Sequence, residues 1–368
     1  MCRFCEQRAF GSEEHYNPQL RYGGFVPGAN MAPDLILCDG SILTMDPSRP
    51  EATAVAIRQG IIQAVGTTDE VLACRGRATR VVRLEGRALV PGFIASGVRL
   101  PNANGDDELE RWVMACARAG FTTVDVTDLG ARWEIYDAIS LVIGRRHRLR
   151  LRGAVRDDLV RDWADGDLSP GQGNDLICID AVRLRPSEGA AHLVLASALK
   201  RRSEGWRVVL DCLGTDDLEC ALEIASLTSN DELADVRLLM PWSIDEEMER
   251  RLTISGLHLV PTWGLAPVER LSGSAEQSAA AMHSLIVEMA HLAGVEIIVG
   301  EIRRGLYADF TVLNRSPYSV GQGPIKVLAT WIEGVRVRLD DNRALRTEGD
   351  LTAGGGYSKQ AFQTGGLS

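Results

Sequence analysis

Three kinds of residue in this 368-residue chain carry the chemistry for a site. Cys2 and Cys5 have the C-x-x-C spacing of a metal-binding or redox pair, although no second pair stands at knuckle spacing to complete a zinc site. Asp125, Asp128 and Asp211 each follow an apolar run, where carboxylates can act as acid and base or else cap helices and pair with arginines. The six histidines, at 15, 147, 192, 258, 283 and 291, form neither H-x-H nor H-x-x-x-H. Arg145, Arg146, Arg148, Arg150 and Arg152 make a basic run. Its alternation in Leu149-Arg150-Leu151-Arg152 predicts a strand with a solvated or salt-bridged face. The chain has no P-loop, dinucleotide glycine fingerprint or G-x-S-x-G elbow.

The elements that would position these residues change character along the chain. Residues 34–88 predict short strands at 34–38, 41–45, 54–57, 61–66 and 80–84, with a hairpin at Asp39-Gly40 and a turn at Arg58-Gln59-Gly60. The expectation is a small antiparallel sheet. From residue 89 strands and helices alternate. Strands are predicted at 89–94, 121–126, 149–155, 181–184, 207–213, 236–240 and 257–262. Helices are predicted at 107–118, 135–143, 188–200, 216–227 and 244–254. Such alternation implies parallel strands with right-handed crossovers, hence a (β/α) barrel. About 175 residues hold it, against the ~250 of a complete barrel, so one unit is expected to be missing. After a helix at 275–293, strands return in 300–338.

The fold class expected is therefore α/β: a truncated or degenerate TIM-like (β/α) barrel, 89–299, plus a small β-sandwich formed by both flanks, 34–88 and 300–338. A polar extension, 1–33, and a Gly-rich tail, 339–368, lie outside it.

Composition narrows the function classes. Forty basic against fifty acidic residues give a net charge of −10, which argues against bulk binding of nucleic acid or anionic lipid. No apolar stretch approaches the ~20 residues of a membrane span, and the first residues are polar, so a cytoplasmic location is expected. The eight cysteines are scattered, as in a reducing compartment.

Three stretches resemble the metal-dependent amidohydrolase superfamily, specifically its third large family. Residues 34–66 are similar to the family's opening "ADLIL.NG.ILTMD…AVAV.DGRI.AVG". Val90-Pro91-Gly92-Phe93-Ile94 is similar to the entry into its first barrel strand. GEIRRGLYADFTV at 300–312 and ATWIEGV at 329–335 are similar to "G.I..GK.ADLVVL" and "ATWVGGK". The resemblance implies a barrel whose mouth holds one or two divalent metals that activate water.

At the implied ligand positions this chain departs from the family. Where the first strand carries His-x-His, it has Gly97 and Arg99, and the usual Asp is Ala95. Arg183 stands for the bridging lysine, Asp211 and Met240 for two histidines, and Leu265 for the final aspartate. Gly97 has no donor atom and arginine is a permanent cation. The expectation is a pseudoenzyme without cofactor, with Cys2 and Cys5 the remaining candidates for a metal. Arg99 and Arg183 should be compensated by Asp211 or Asp125, or else clamp a small anionic ligand. The alternative is an active hydrolase of C–N bonds with a rearranged site, built on Asp125, Asp128 and Asp211. A barrel short of one unit leaves an edge to cover, so a homo- or hetero-oligomer is expected, the partner being an active amidohydrolase or another pathway enzyme.

Overall fold

Five strands form the first flank: β1 (Leu35–Leu43), β2 (Glu51–Arg58), β3 (Ile61–Gly66), β4 (Arg80–Arg83) and β5 (Ala88–Pro91). The computed structural model describes residues 31–101, 106–130, 143, 148–160, 168–174, 176–229, 236–240, 244–261, 267–319 and 323–337. Most of the predicted helix 135–143, the extension up to residue 30 and the tail 339–368 lie outside these. β2 and β3 join through Gln59-Gly60, both at positive φ (50° and 80°), as a tight hairpin requires. A short helix, α1 (Thr68–Leu72), follows on a Thr67/Glu70 capping box.

Asp39-Gly40 does not turn the chain, contrary to the sequence expectation. β1 runs through it on a bulge, with Asp39 at φ 57°. Before the bulge β1 pairs β4, and beyond it β5, both in parallel. The sheet is therefore mixed, not antiparallel. Leu84 packs so closely over Gly40 that an added Cβ would lie 2.5 Å from its Cδ1, which suits the glycine to the bulge.

The predicted strand 89–94 is two strands. β5 ends at Pro91 in the flank sheet, and β6 (Phe93–Val98) begins the barrel. Gly92 is the crossing point: its N–H donates to the Asp309 carbonyl at 3.0 Å, and a Cβ here would lie 2.0 Å from Thr122 Oγ1. Gly92→Ala should lower stability by roughly 1–3 kcal/mol through overpacking, read by thermal melting. An unchanged melting temperature would show that Thr122 can yield.

The barrel continues with α2 (Asp106–Arg118), β7 (Phe121–Val126), β8 (Arg150–Arg156), a two-residue antiparallel β9 (Gln172–Gly173) and β10 (Ile177–Leu184). Then come α3 (Ala191–Ser203), β11 (Arg207–Asp211), α4 (Thr215–Ser226), β12 (Val236–Met240), α5 (Glu246–Ser255) and β13 (His258–Pro261). β6, β7, β8, β10, β11, β12 and β13 pair in parallel in that order, seven strands among the described residues. β13 returns to within reach of β6, so the barrel nearly closes. Alternation sorts the side chains. Val208, Leu210, Val236 and Leu238 pack outward on Ala198, Leu218, Ala221 and Leu252 of the helices. Ala154, Ala181, Val209 and Leu239 form an apolar layer inside.

The predicted helix 275–293 is α6 (Ala275–His283), a π-helical turn (Ser284–Glu288) and α7 (Met289–Ala293). The chain then re-enters the first sheet as β14 (Phe310–Leu313), β15 (Val327–Ile332) and β16 (Val335–Arg336). The sheet order is β16-β15-β14-β5-β1-β2-β3, with β4 on β1. Leu37, Val55 and Ile62 from one flank share a core with Phe310, Val312 and Trp331 from the other. Ile61 of β3 and Tyr307, just before β14, form an isolated antiparallel bridge.

Arg150 ties barrel to sheet. Its fully buried guanidinium donates from Nε to Asp309 at 3.0 Å and lies 4.2 Å from the Tyr307 ring centre, while Arg148 pairs Glu333 at 2.8 Å. Burial works against the Arg150 charge, but Asp309 and Glu333 outweigh it and hold the group protonated. Arg150 and Arg152 thus face buried partners rather than solvent. Arg145 and Arg146 lie outside the described residues. No helix among the described residues is long and apolar enough to cross a membrane.

Candidate functional site

Barrel strands end at a mouth where four sequence candidates meet. Asp211 closes β11, Arg183 lies one residue before the end of β10, Arg99 follows β6, and Asp128 follows β7. Asp211 is 1% exposed and accepts from both arginines. Arg99 Nη2 reaches its two oxygens at 3.1 and 3.0 Å, and Arg183 Nη1 reaches Oδ2 at 2.7 Å. The other arm of Arg183 pairs Asp128 at 2.9 Å. Asp128 Oδ1 also accepts from the Gly130 N–H at 2.8 Å. Two cations and two carboxylates balance, as a partly buried cluster must.

Asp125 is not part of the mouth. It faces inward on β7, below the apolar layer of Ala154, Ala181, Val209 and Leu239. Its Oδ2 accepts from Ser96 Oγ at 2.7 Å and its Oδ1 from Arg207 Nη2 at 2.8 Å. Arg207 also donates to Asp180 at 3.0 and 3.1 Å and to the Leu292 carbonyl at 3.3 Å. Arg152 pairs the same Asp180. Burial works against the Arg207 charge, but the two aspartates outweigh it and raise its pKa. Every member is 10% exposed or less, so this is an interior layer of the barrel rather than a solvent-facing acid/base pair. Asp125 is thus corrected from a mouth candidate to an interior one.

A further carboxylate organises the loops around the mouth. Asp217 accepts from Ser187 N–H and Oγ, the Leu213 N–H and Arg185 Nε. Burial pushes its pKa up, but these hydrogen bonds outweigh it and hold it below the ordinary 3.8. A depressed carboxylate stabilises the fold above the unfolded value, and that contribution fades as pH falls through the folded value. Asp217→Asn should therefore cost stability at pH 7, by melting temperature, with the gap to wild type closing as pH falls below the ordinary carboxylate value. A gap independent of pH would mean that the carboxylate charge contributes nothing.

The remaining candidates divide. Gly97 sits at φ 74° on a register shift between Ala95 and Val98, a backbone that a side chain would strain. Met240 ends β12, but its side chain is not described, and Leu265, Cys2 and Cys5 lie outside the described residues. Among the described residues no three His, Cys, Asp or Glu side chains converge as a metal-binding group. Sequence reading missed Asp180 and Arg207. The available signal was a charge in the inward register of an otherwise apolar strand, as in Ile177-Cys178-Ile179-Asp180-Ala181.

Comparison with known proteins supports the architecture. No family model matches the chain. The Arabidopsis thaliana protein LONG AFTER FAR-RED 3 is 42% identical over 75 residues, which is 20% of this chain but only 13% of that relative. Among solved structures, a zinc-bound adenosine deaminase from Xanthomonas campestris matches at TM-score 0.60 and 14% identity, over 83% of this chain and 93% of its own. A metal-dependent hydrolase of unassigned substrate from Pyrococcus furiosus matches at TM-score 0.61 and 10% identity, over 77% and 100%. The barrel and its companion sheet thus share the fold of these two enzymes, and at these identities the likeness is one of fold alone.

Proposed function

We propose that this chain is an amidohydrolase-like pseudoenzyme, a non-catalytic subunit or scaffold for an active metal-dependent hydrolase or another enzyme of its pathway. The observation that carries the reading is Asp211 held between Arg99 and Arg183. These three residues stand at positions where the resembled family places metal ligands. A guanidinium has no lone pair to give a metal, and both oxygens of Asp211 already accept from guanidiniums. A histidine in place of Gly97 would meet a strained backbone. These groups do not fit a divalent cation, and no hydrolytic step is routed through one.

A second reading rests on Arg99, whose side chain is 47% exposed: its free face can take a small anion at the mouth. In either case we place the chain in the cytoplasm and within an oligomer.

The test is turnover. The full chain, supplied with zinc or manganese, is assayed on amide, cyclic amide and aminopurine substrates beside Asp211→Asn and Asp128→Asn. The expected result is no hydrolysis above buffer in any of the three. Wild-type turnover that both variants abolish would overturn the proposal. Light scattering of the chain purified from its native source should show a species larger than one chain. A monodisperse monomer would remove the scaffold role.

A further inference from the structure

A cavity of about 430 Å³ lies in the flank sheet, between β3, the loop from β1 to β2 and the segment leading to β14. That volume is within the range of small-molecule sites. Backbone hydrogen bonds fix its walls. Thr44 N–H donates to the Pro50 carbonyl at 3.0 Å, which closes the loop. Ile302 N–H donates to the Thr44 carbonyl at 2.7 Å, which ties the segment to that loop. Ala64, Val65 and Ile302 supply apolar lining.

Three arginines line the cavity: Arg49 from the loop, Arg303 and Arg304 from the segment. Arg303 is committed, its Nε donating to Glu301 at 2.7 Å. Arg49 and Arg304 are exposed, and their guanidiniums make no hydrogen bond or ion pair among the described residues. Glu70 feels the Arg49 charge but gives its carboxylate to the Thr67 N–H, at 2.8 Å. Against the arginines stands Asp46, only 9% exposed. Its Oδ1 accepts from Ser48 N–H at 2.9 Å and Ser48 Oγ at 2.7 Å, and its Oδ2 accepts from no donor among the described residues. The Ser48 bonds outweigh burial and hold this carboxyl below its ordinary value, so it is charged at pH 7. Arg303 and Arg49 favour that charge through space without pairing with it.

Two guanidiniums and one carboxylate are thus left for a ligand, a surplus of one positive charge. A molecule with two carboxylates and one ammonium mirrors that set, and each planar guanidinium can take a carboxylate on two donors. We propose that this cavity binds a free acidic amino acid, its carboxylates on Arg49 and Arg304 and its ammonium on Asp46. The cavity belongs to the flank sheet, so the proposal does not depend on the catalytic silence of the barrel mouth.

Glutamate is the probe, titrated calorimetrically into the full chain, with glutarate, which lacks the ammonium, beside it. Saturable binding of one glutamate per chain is expected, tighter than glutarate. Arg49→Gln and Arg304→Gln should each weaken glutamate by roughly tenfold or more, the worth of a charge-assisted hydrogen bond. Asp46→Asn, which can still accept from Ser48, should abolish the preference for glutamate over glutarate. Arg251→Gln, which removes a surface pair with Glu219, should change nothing. Circular dichroism establishes that each variant is folded. Absence of saturable binding at millimolar glutamate would overturn the proposal. So would glutarate binding as tightly as glutamate to the wild type, or unchanged glutamate affinity in either folded arginine variant.

Discussion

Asp180→Ala should destabilise the chain by roughly 3–5 kcal/mol, or prevent folding at 37 °C, because it strips a shared counter-ion from two buried guanidiniums. Arg152 is 2% exposed and Arg207 10%, and Asp180 binds both. Arg207 keeps Asp125, but Arg152 loses its pair with Asp180. A loss of this size is a large part of the 5–15 kcal/mol that holds a typical domain. Chemical denaturation of Asp180→Ala and Asp180→Asn beside wild type reads it. Asn should recover part of the loss by accepting a hydrogen bond. An unchanged midpoint in Asp180→Ala would show that the inner layer is not built on this residue.

Asp211→Ala should cost roughly 3 kcal/mol by the same mechanism at the mouth. The figure is set at the low end because Arg99 is 47% exposed and Arg183 retains Asp128. The double variant Asp211→Leu with Arg183→Met should recover much of the loss, since apolar replacement of a buried pair is often neutral. Thermal melting of the single and double variants separates the outcomes. Independent, additive losses would mean that Arg183 and Asp211 do not act as a pair.

The mouth was legible in the sequence because scaffold motifs flank it. Val90-Pro91-Gly92-Phe93 fixes the start of β6, and with that alignment Arg99 and Arg183 fall at strand ends where carboxylates of neighbouring strands can balance them. Asp211 rather than Asp125 meets them because Asp125 lies a layer deeper. The strands 121–126 and 236–240 were readable as bounded apolar runs, with observed ends matching. What failed was whatever needed a distant partner. Asp39-Gly40 serves a bulge as well as a hairpin, and only the later arrival of β4 and β5 beside β1 decides between them. The apolar run at 89–94 conceals an exchange of sheets at Gly92, because both sheets want the same side chains. Arg207 meets Asp125 across 82 residues of chain, a pairing that local pattern does not carry.

The most direct measurement of the central claim is elemental analysis of the full chain expressed with added zinc, manganese and iron, beside a Cys2→Ser/Cys5→Ser variant. If the mouth is held by Arg99, Arg183, Asp211 and Asp128 alone, the double variant carries well under one metal ion per chain, and Asp211→Asn does not change that content. About one tightly held metal ion per chain in the cysteine variant, lost on Asp211→Asn, would contradict the account.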